Sequence, residues 1–139
     1  GVKVRAVAAG WAHSLVVNSA GEPYSFGANH CGLLGHGGNQ DQLTPKVIEA
    51  LAGVRVHAVA GGDDHSLVLS EDGVVYSFGL GECGRLGHGD EEDQHTPKAI
   101  QALRGIKMSS IAAGASTSLA VATSGVAYGW GDGEDGRLG

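Results

Sequence analysis

A register of 52 residues governs this chain. Val7-Ala8-Ala9-Gly10-Trp11-Ala12-His13-Ser14-Leu15-Val16 returns as Val59-Ala60-Gly61-Gly62-Asp63-Asp64-His65-Ser66-Leu67-Val68. It returns again, ungapped, as Ile111-Ala112-Ala113-Gly114-Ala115-Ser116-Thr117-Ser118-Leu119-Ala120. Tyr24, Tyr76 and Tyr128 fall in line, as do Gly27, Gly79 and Gly131. Between residues 7–35 and 59–87, 16 of 29 positions are identical. A fixed period of this length is the signature of units that stack, because one unit cannot bury its apolar face alone. The units run 1–52, 53–104 and 105–139, the last incomplete.

Within a unit the pattern is that of short strands. Val54, Val56, Ala58 and Ala60 alternate, which is the period of a strand. Gly61 to Asp64 turns the chain, and His65 to Ser70 is a second strand. Glu71-Asp72-Gly73 is a tight turn, and Val74 to Phe78 is a third strand, rich in β-branched and aromatic residues. A long polar loop from Gly79 to Thr96 leads to a short edge strand from Pro97 to Ile100. Glycine supplies 25 of the 139 residues, against a usual share of about 7%, which argues against an all-helical fold. The fold class is therefore all-β, with three or four strands in each unit, which is the period of a propeller blade.

Three motifs make the likeness specific: Val-Ala-Gly-Gly-x-x-His-Ser-Leu at 59–67, Asp-Gly-x-Val-Tyr-Ser-Phe-Gly at 72–79, and Gly-Arg-Leu-Gly-His-Gly at 84–89. In this order and spacing they resemble the repeat of the regulator of chromosome condensation family. That resemblance implies seven-bladed β-propellers. The 139 residues then supply only part of a ring, which needs the rest of the propeller, or other copies, to close.

Composition narrows the function. The net charge is −6, and the nine Lys and Arg are scattered, so no positive stripe for nucleic acid is expected in this segment. No apolar run reaches membrane-spanning length. The chain opens on Gly1 without a signal-like segment, which suggests a processed product or an excerpt. Two cysteines, Cys31 and Cys83, form no disulfide framework and suit a reducing compartment, so an intracellular location, cytoplasmic or nuclear, is expected.

Several motifs invite chemistry and do not sustain it. Gly79-Leu80-Gly81-Glu82-Cys83-Gly84 has the glycine spacing of a dinucleotide loop, but Arg85-Leu86-Gly87-His88-Gly89 cannot continue as the helix that would hold the pyrophosphate. Asp64-His65-Ser66 runs from the turn into a strand, where neighbours face opposite ways. His65 has a repeat mate in His13, so both are read as structural, buried and bonded to backbone of their own blade. Gly27, Gly79 and Gly131 are read as structural too. Cys31 with His36 and Cys83 with His88 are pairs on separate blades, without the four converging ligands of a zinc site, and are read as a small buried thiol with a loop-packing histidine. Asp90-Glu91-Glu92-Asp93 is a solvated loop. No metal, cofactor or catalytic residue is expected.

Function is sought where the repeats differ at one place. The turn before the histidine carries Trp11-Ala12, then Asp63-Asp64, then Ala115-Ser116. These turns should line up on one propeller face. The resemblance implies that this turn meets partner proteins, a small Ran-like GTPase among them. Trp11, Asp63, Asp64 and Ser116 are therefore the expected protein-binding residues. The expected function is a protein-interaction propeller. Its alternatives are guanine-nucleotide exchange on a Ran-like GTPase and the substrate-recognition propeller of a ubiquitin ligase. Within the family a light-sensing role is tied by resemblance to clustered tryptophan on these turns, and Asp63 and Ala115 stand there instead.

Overall fold

The computed structural model describes residues 3–139. The first unit forms an antiparallel sheet of β1 (Val4–Ala9), β2 (His13–Asn18), β3 (Pro23–Gly27) and β4 (Gln42–Val47), in that spatial order. The second repeats it with β5 (Val56–Gly61), β6 (His65–Ser70), β7 (Val75–Gly79) and β8 (Gln94–Ala99). The third has β9 (Met108–Ala113), β10 (Thr117–Ala122) and β11 (Ala127–Gly131). The first strand of each sheet lies beside the first strand of the next, so the sheets stack as blades around a common axis.

The core lies between blades rather than within them. Leu15, Val17, Ile48 and Leu51 of the first blade close on Val56, Val68 and Phe78 of the second. Leu69, Val75 and Ile100 of the second close on Met108, Ala120 and Ala122 of the third. The middle blade is covered on both sides, and every residue of β6 is buried. This is why Leu67, Val68 and Leu69 are consecutive apolar residues instead of an alternation, with buried His65, Ser66 and Ser70 around them.

Three details depart from the sequence reading. A bulge between Val56 and Ala58 breaks the strict alternation of β5, so Val56 and Val59 pack into one interblade core while Ala58 packs against the other. The edge strand begins at Gln94 rather than Pro97, and Pro97 falls at a register shift, where its missing N–H costs no ladder bond. The polar loop contains a 3₁₀ turn, Glu82–Gly84, with Cys83 at φ 60, and Cys83 is exposed rather than buried.

The outer flanks of the arc are open. Leu119 is 43% exposed, whereas its repeat mates Leu15 and Leu67 are 1% and 0% exposed. On the other flank Leu43 is 95% exposed, while its mate His95 sits against Gly32 of the preceding blade. Burying one such leucine is worth about 1.5–3 kcal/mol. The isolated 139-residue chain should therefore self-associate or remain loose in light scattering. A compact, cooperatively melting monomer would contradict the stacking argument.

Candidate protein-binding face

The β1–β2, β5–β6 and β9–β10 turns lie at one end of the strands, together with the long loops that follow β3, β7 and β11. This end is called the turn face below. The turns are tied in a row by backbone bonds: Trp11 N–H donates to the Gly62 carbonyl (3.4 Å), and Asp63 N–H to the Ala115 carbonyl (3.2 Å). The structure thus brings Trp11, Asp63, Asp64 and Ser116 onto one continuous rim.

Glycines set how each turn closes. Gly27, Gly79 and Gly131 have φ of 110, 112 and 107, and a Cβ on each would lie 2.5, 2.5 and 2.4 Å from the carbonyl oxygens of Ala12, Asp64 and Ser116. Only glycine supplies both that conformation and that close approach. Gly81 has a different cause. A Cβ there would sit 2.1 Å from the Glu92 carbonyl oxygen, so the loop folds back on its own backbone and leaves no phosphate cradle.

Beneath the rim, His13 and His65 bond across blades, not to backbone of their own blade as the sequence reading has it. His13 Nε2 is 2.9 Å from Ser66 Oγ, and Ser66 Oγ donates to the Leu33 carbonyl at 2.7 Å. His65 Nε2 is 2.9 Å from Ser118 Oγ, which donates to the Arg85 carbonyl at 2.8 Å. Each hydroxyl has one proton and gives it to the carbonyl, so the imidazole Nε2–H is the donor to Oγ. Both the neutral ring and the imidazolium carry this N–H; it is burial that favours the neutral ring here. Burial pushes both histidines down to about 4; the nearby His30 adds to this at His13, and Arg85 at His65. The same Ser–His–carbonyl device closes the loops within a blade. His36 Nε2 lies 2.9 Å from Ser25 Oγ, which donates to the Leu34 carbonyl, and His88 and Ser77 repeat the arrangement with Leu86. These two histidines are loop-packing groups, and burial lowers both.

The rim residues differ in how free they are. Trp11 is 80% exposed, so its ring does not fold over its own blade. Asp63 and Ser116 are half-buried. Asp64 pairs with His30 from the loop of the preceding blade, so it helps hold the seam as well as facing outward. Part of the acidic loop is also engaged: Glu91 accepts from Cys83 N–H (2.8 Å), and Asp93 from Gly81 N–H (2.9 Å). His30 is the site residue that the sequence offers no reason to single out, because neither it nor its partner Asp64 recurs from blade to blade. Among the described residues no cluster of three His, Cys, Asp or Glu could hold a metal, and no helix is long and apolar enough to cross a membrane.

Charge is divided between the two ends of the strands. Asp63, Asp64, Glu82, the 90–93 run, Asp132, Glu134 and Asp135 all lie on the turn face. Lys3, Arg5, Arg55, Arg104 and Lys107 lie at the opposite end, where Glu71 joins Arg5 (2.9 Å) and Arg55 (3.0 Å). Arg85 and Arg137 also lie on the turn face, and Glu22, Glu49 and Asp72 at the opposite end, yet acids still outnumber bases on the turn face.

Two family models, each described as the regulator of chromosome condensation (RCC1) repeat, match the chain. One matches residues 20–69 and 72–121, the other residues 4–33, 56–85 and 108–137. The chain is 42% identical over 140 residues to the Arabidopsis thaliana ultraviolet-B receptor UVR8, covering all of itself and 32% of that protein. It is 42% identical over 141 residues to the human E3 ubiquitin-protein ligase HERC2, of which it covers 3%. It superposes on human WBSCR16 with a TM-score of 0.85 and 30% identity, over 92% of this chain and 33% of that one. Yeast RCC1 (Prp20), solved bound to Kap60, gives a TM-score of 0.84 and 30% identity, over 98% of this chain and 34% of that one. The chain therefore spans about a third or less of these relatives. Fold, repeat length and family models agree: the chain belongs to the regulator of chromosome condensation repeat family, as two four-stranded blades and three strands of a third in a β-propeller arc.

Proposed function

We propose that this arc is a protein-binding module that receives a basic surface of its partner on the turn face. The observation that carries the reading is the exposed Trp11 standing in line with Asp63 and Asp64 on turns bonded to one another from blade to blade. Tryptophan is enriched among interface hot spots, and carboxylates around it steer association. Kap60 bound to yeast RCC1 is a family precedent for a protein partner. Guanine-nucleotide exchange would use the same face by holding a nucleotide-free GTPase, without covalent chemistry. Substrate recognition for a ligase, as the HERC2 relationship suggests, would likewise be binding.

The test uses the intact protein that carries this arc and the partners recovered with it. Trp11→Ala should weaken capture by about 2 kcal/mol, roughly thirtyfold, at unchanged melting temperature. Asp63→Ala should slow association, and high salt should reproduce the loss. Asp64→Ala should add a small drop in melting temperature, because it also releases His30. Unchanged capture in both Trp11→Ala and Asp63→Ala would remove this face as the site.

A further inference from the structure

At the end of the strands away from the turns, each blade carries a groove between the β2–β3 type turn and the segment leading to the next blade. In the first blade it measures about 340 Å³ and is walled by Glu22 and Glu49, with Ala52 at its rim. In the second it measures about 580 Å³, and the repeat mates of those three residues are Val74, Gln101 and Arg104. Two carboxylates have gone and a guanidinium has arrived, in the same place on the same fold. The blade does not need this change, because the first blade folds with the other set. The first groove also stays open although its neighbouring blade is complete, so the feature belongs to the blade itself.

The second groove has an apolar floor of Val75, Ile100 and Leu103 and a rim bearing Arg104 and Lys107. The Lys107 stem lies against Gly73, where a Cβ would come within 2.3 Å of its Cγ, so the ammonium is carried on a seated stem. Val74, 40% exposed, lies beside it. Such a groove suits an aliphatic side chain on its floor and carboxylates at its rim, which the planar guanidinium can take in a two-point contact. A bare phosphodiester strand would leave the apolar floor unfilled, and Asp72 on the rim directs a peptide's carboxylates to the Arg104 and Lys107 side of the groove.

We infer that the second-blade groove is a docking site for an acidic peptide segment with an aliphatic anchor, on the face opposite the turns. It is a second interaction surface, and its test does not depend on the turn face. Fluorescence anisotropy of the intact protein with a labelled Glu-Asp-Leu-Leu-Asp-Glu peptide should saturate below about 1 mM. Replacing the two leucines of the peptide by serine, or its acids by lysine, should abolish saturation. Giving the second groove the first groove's residues, Val74→Glu with Gln101→Glu and Arg104→Ala, should weaken binding by about tenfold or more. Melting temperature should hold, because these side chains are exposed and the first blade already tolerates the replacements. Trp11→Ala should leave this binding untouched. No saturation with the acidic peptide, equal binding by the triple variant, or displacement of the peptide by a thymidine oligonucleotide would each overturn the inference.

Discussion

His65→Ala is expected to lower stability by on the order of 3 kcal/mol. The ring is fully buried, and its loss leaves a cavity and strips Ser118 Oγ of its donor across the seam between the second and third blades. Ser118→Ala alone should cost less, about 1–2 kcal/mol, because it leaves the Arg85 carbonyl and the His65 N–H unmet without emptying the site. The double variant should fall short of the sum by about 1 kcal/mol, since the two groups are in direct contact. Strict additivity in urea melts would show that the bond does not join the blades. Acid should act through the same groups. Folded His13 and His65 titrate near 4, and their unfolded forms near 6.5. The unfolded chain therefore takes up protons first. Stability is complete above about pH 6.5, declines as the pH falls toward 4, and levels below it, with each histidine contributing on the order of 3 kcal/mol. In His65→Ala this acid-induced loss should shrink by the share of His65, on the order of 3 kcal/mol. A wild-type melting temperature that does not change between pH 7 and pH 4.5 would contradict the neutral-imidazole lock.

The larger effect belongs to Gly79→Ala. At φ 112 an alanine is strained by about 1–3 kcal/mol before any contact is considered, and its Cβ would press to 2.5 Å from the Asp64 carbonyl oxygen. That carbonyl also receives the Leu80 N–H, so moving it undoes the junction of β6, β7 and the acidic loop. A cost above about 4 kcal/mol is expected, a large share of a typical domain's 5–15 kcal/mol. Gly89→Ala is the matched control. It also has positive φ, 82, but nothing lies within 4 Å of the added carbon, so only the backbone strain should be felt. Equal melting shifts for the two variants would mean that the close approach of Gly79 is unimportant.

The repeat made much of this fold legible, because superposed mates reveal which features every blade needs. Strands β6 and β7 follow from apolar runs bounded by Gly and Asp turns, and the alignment of the three turns on one face follows from the constant register of 52 residues. The bulge in β5 was hidden, because a shift of register inside a strand has no residue signature of its own in Val-His-Ala. Cys83 at φ 60 was hidden for a different reason: non-glycine residues seldom take that conformation, yet Cys31 and Asp135 take it at the matching places. The interblade lock did leave a trace. Serine is kept at 14, 66 and 118 while histidine at 13 and 65 gives way to Thr117. Ser118 serves His65 of the preceding blade, and so it is needed even where its own blade has no histidine. The pairing of Asp64 with His30 left none, since both residues are unique to their blades.

The claim that three blades present one binding rim is tested most directly by hydrogen–deuterium exchange on the intact protein, with and without its bound partner. Backbone amides of residues 10–12, 62–64 and 114–116 should gain protection together, and the gain should fade as salt releases the partner. Protection confined to the loops around Gln40 and Glu92, or to the opposite end of the strands, with these three turns unchanged, would contradict it.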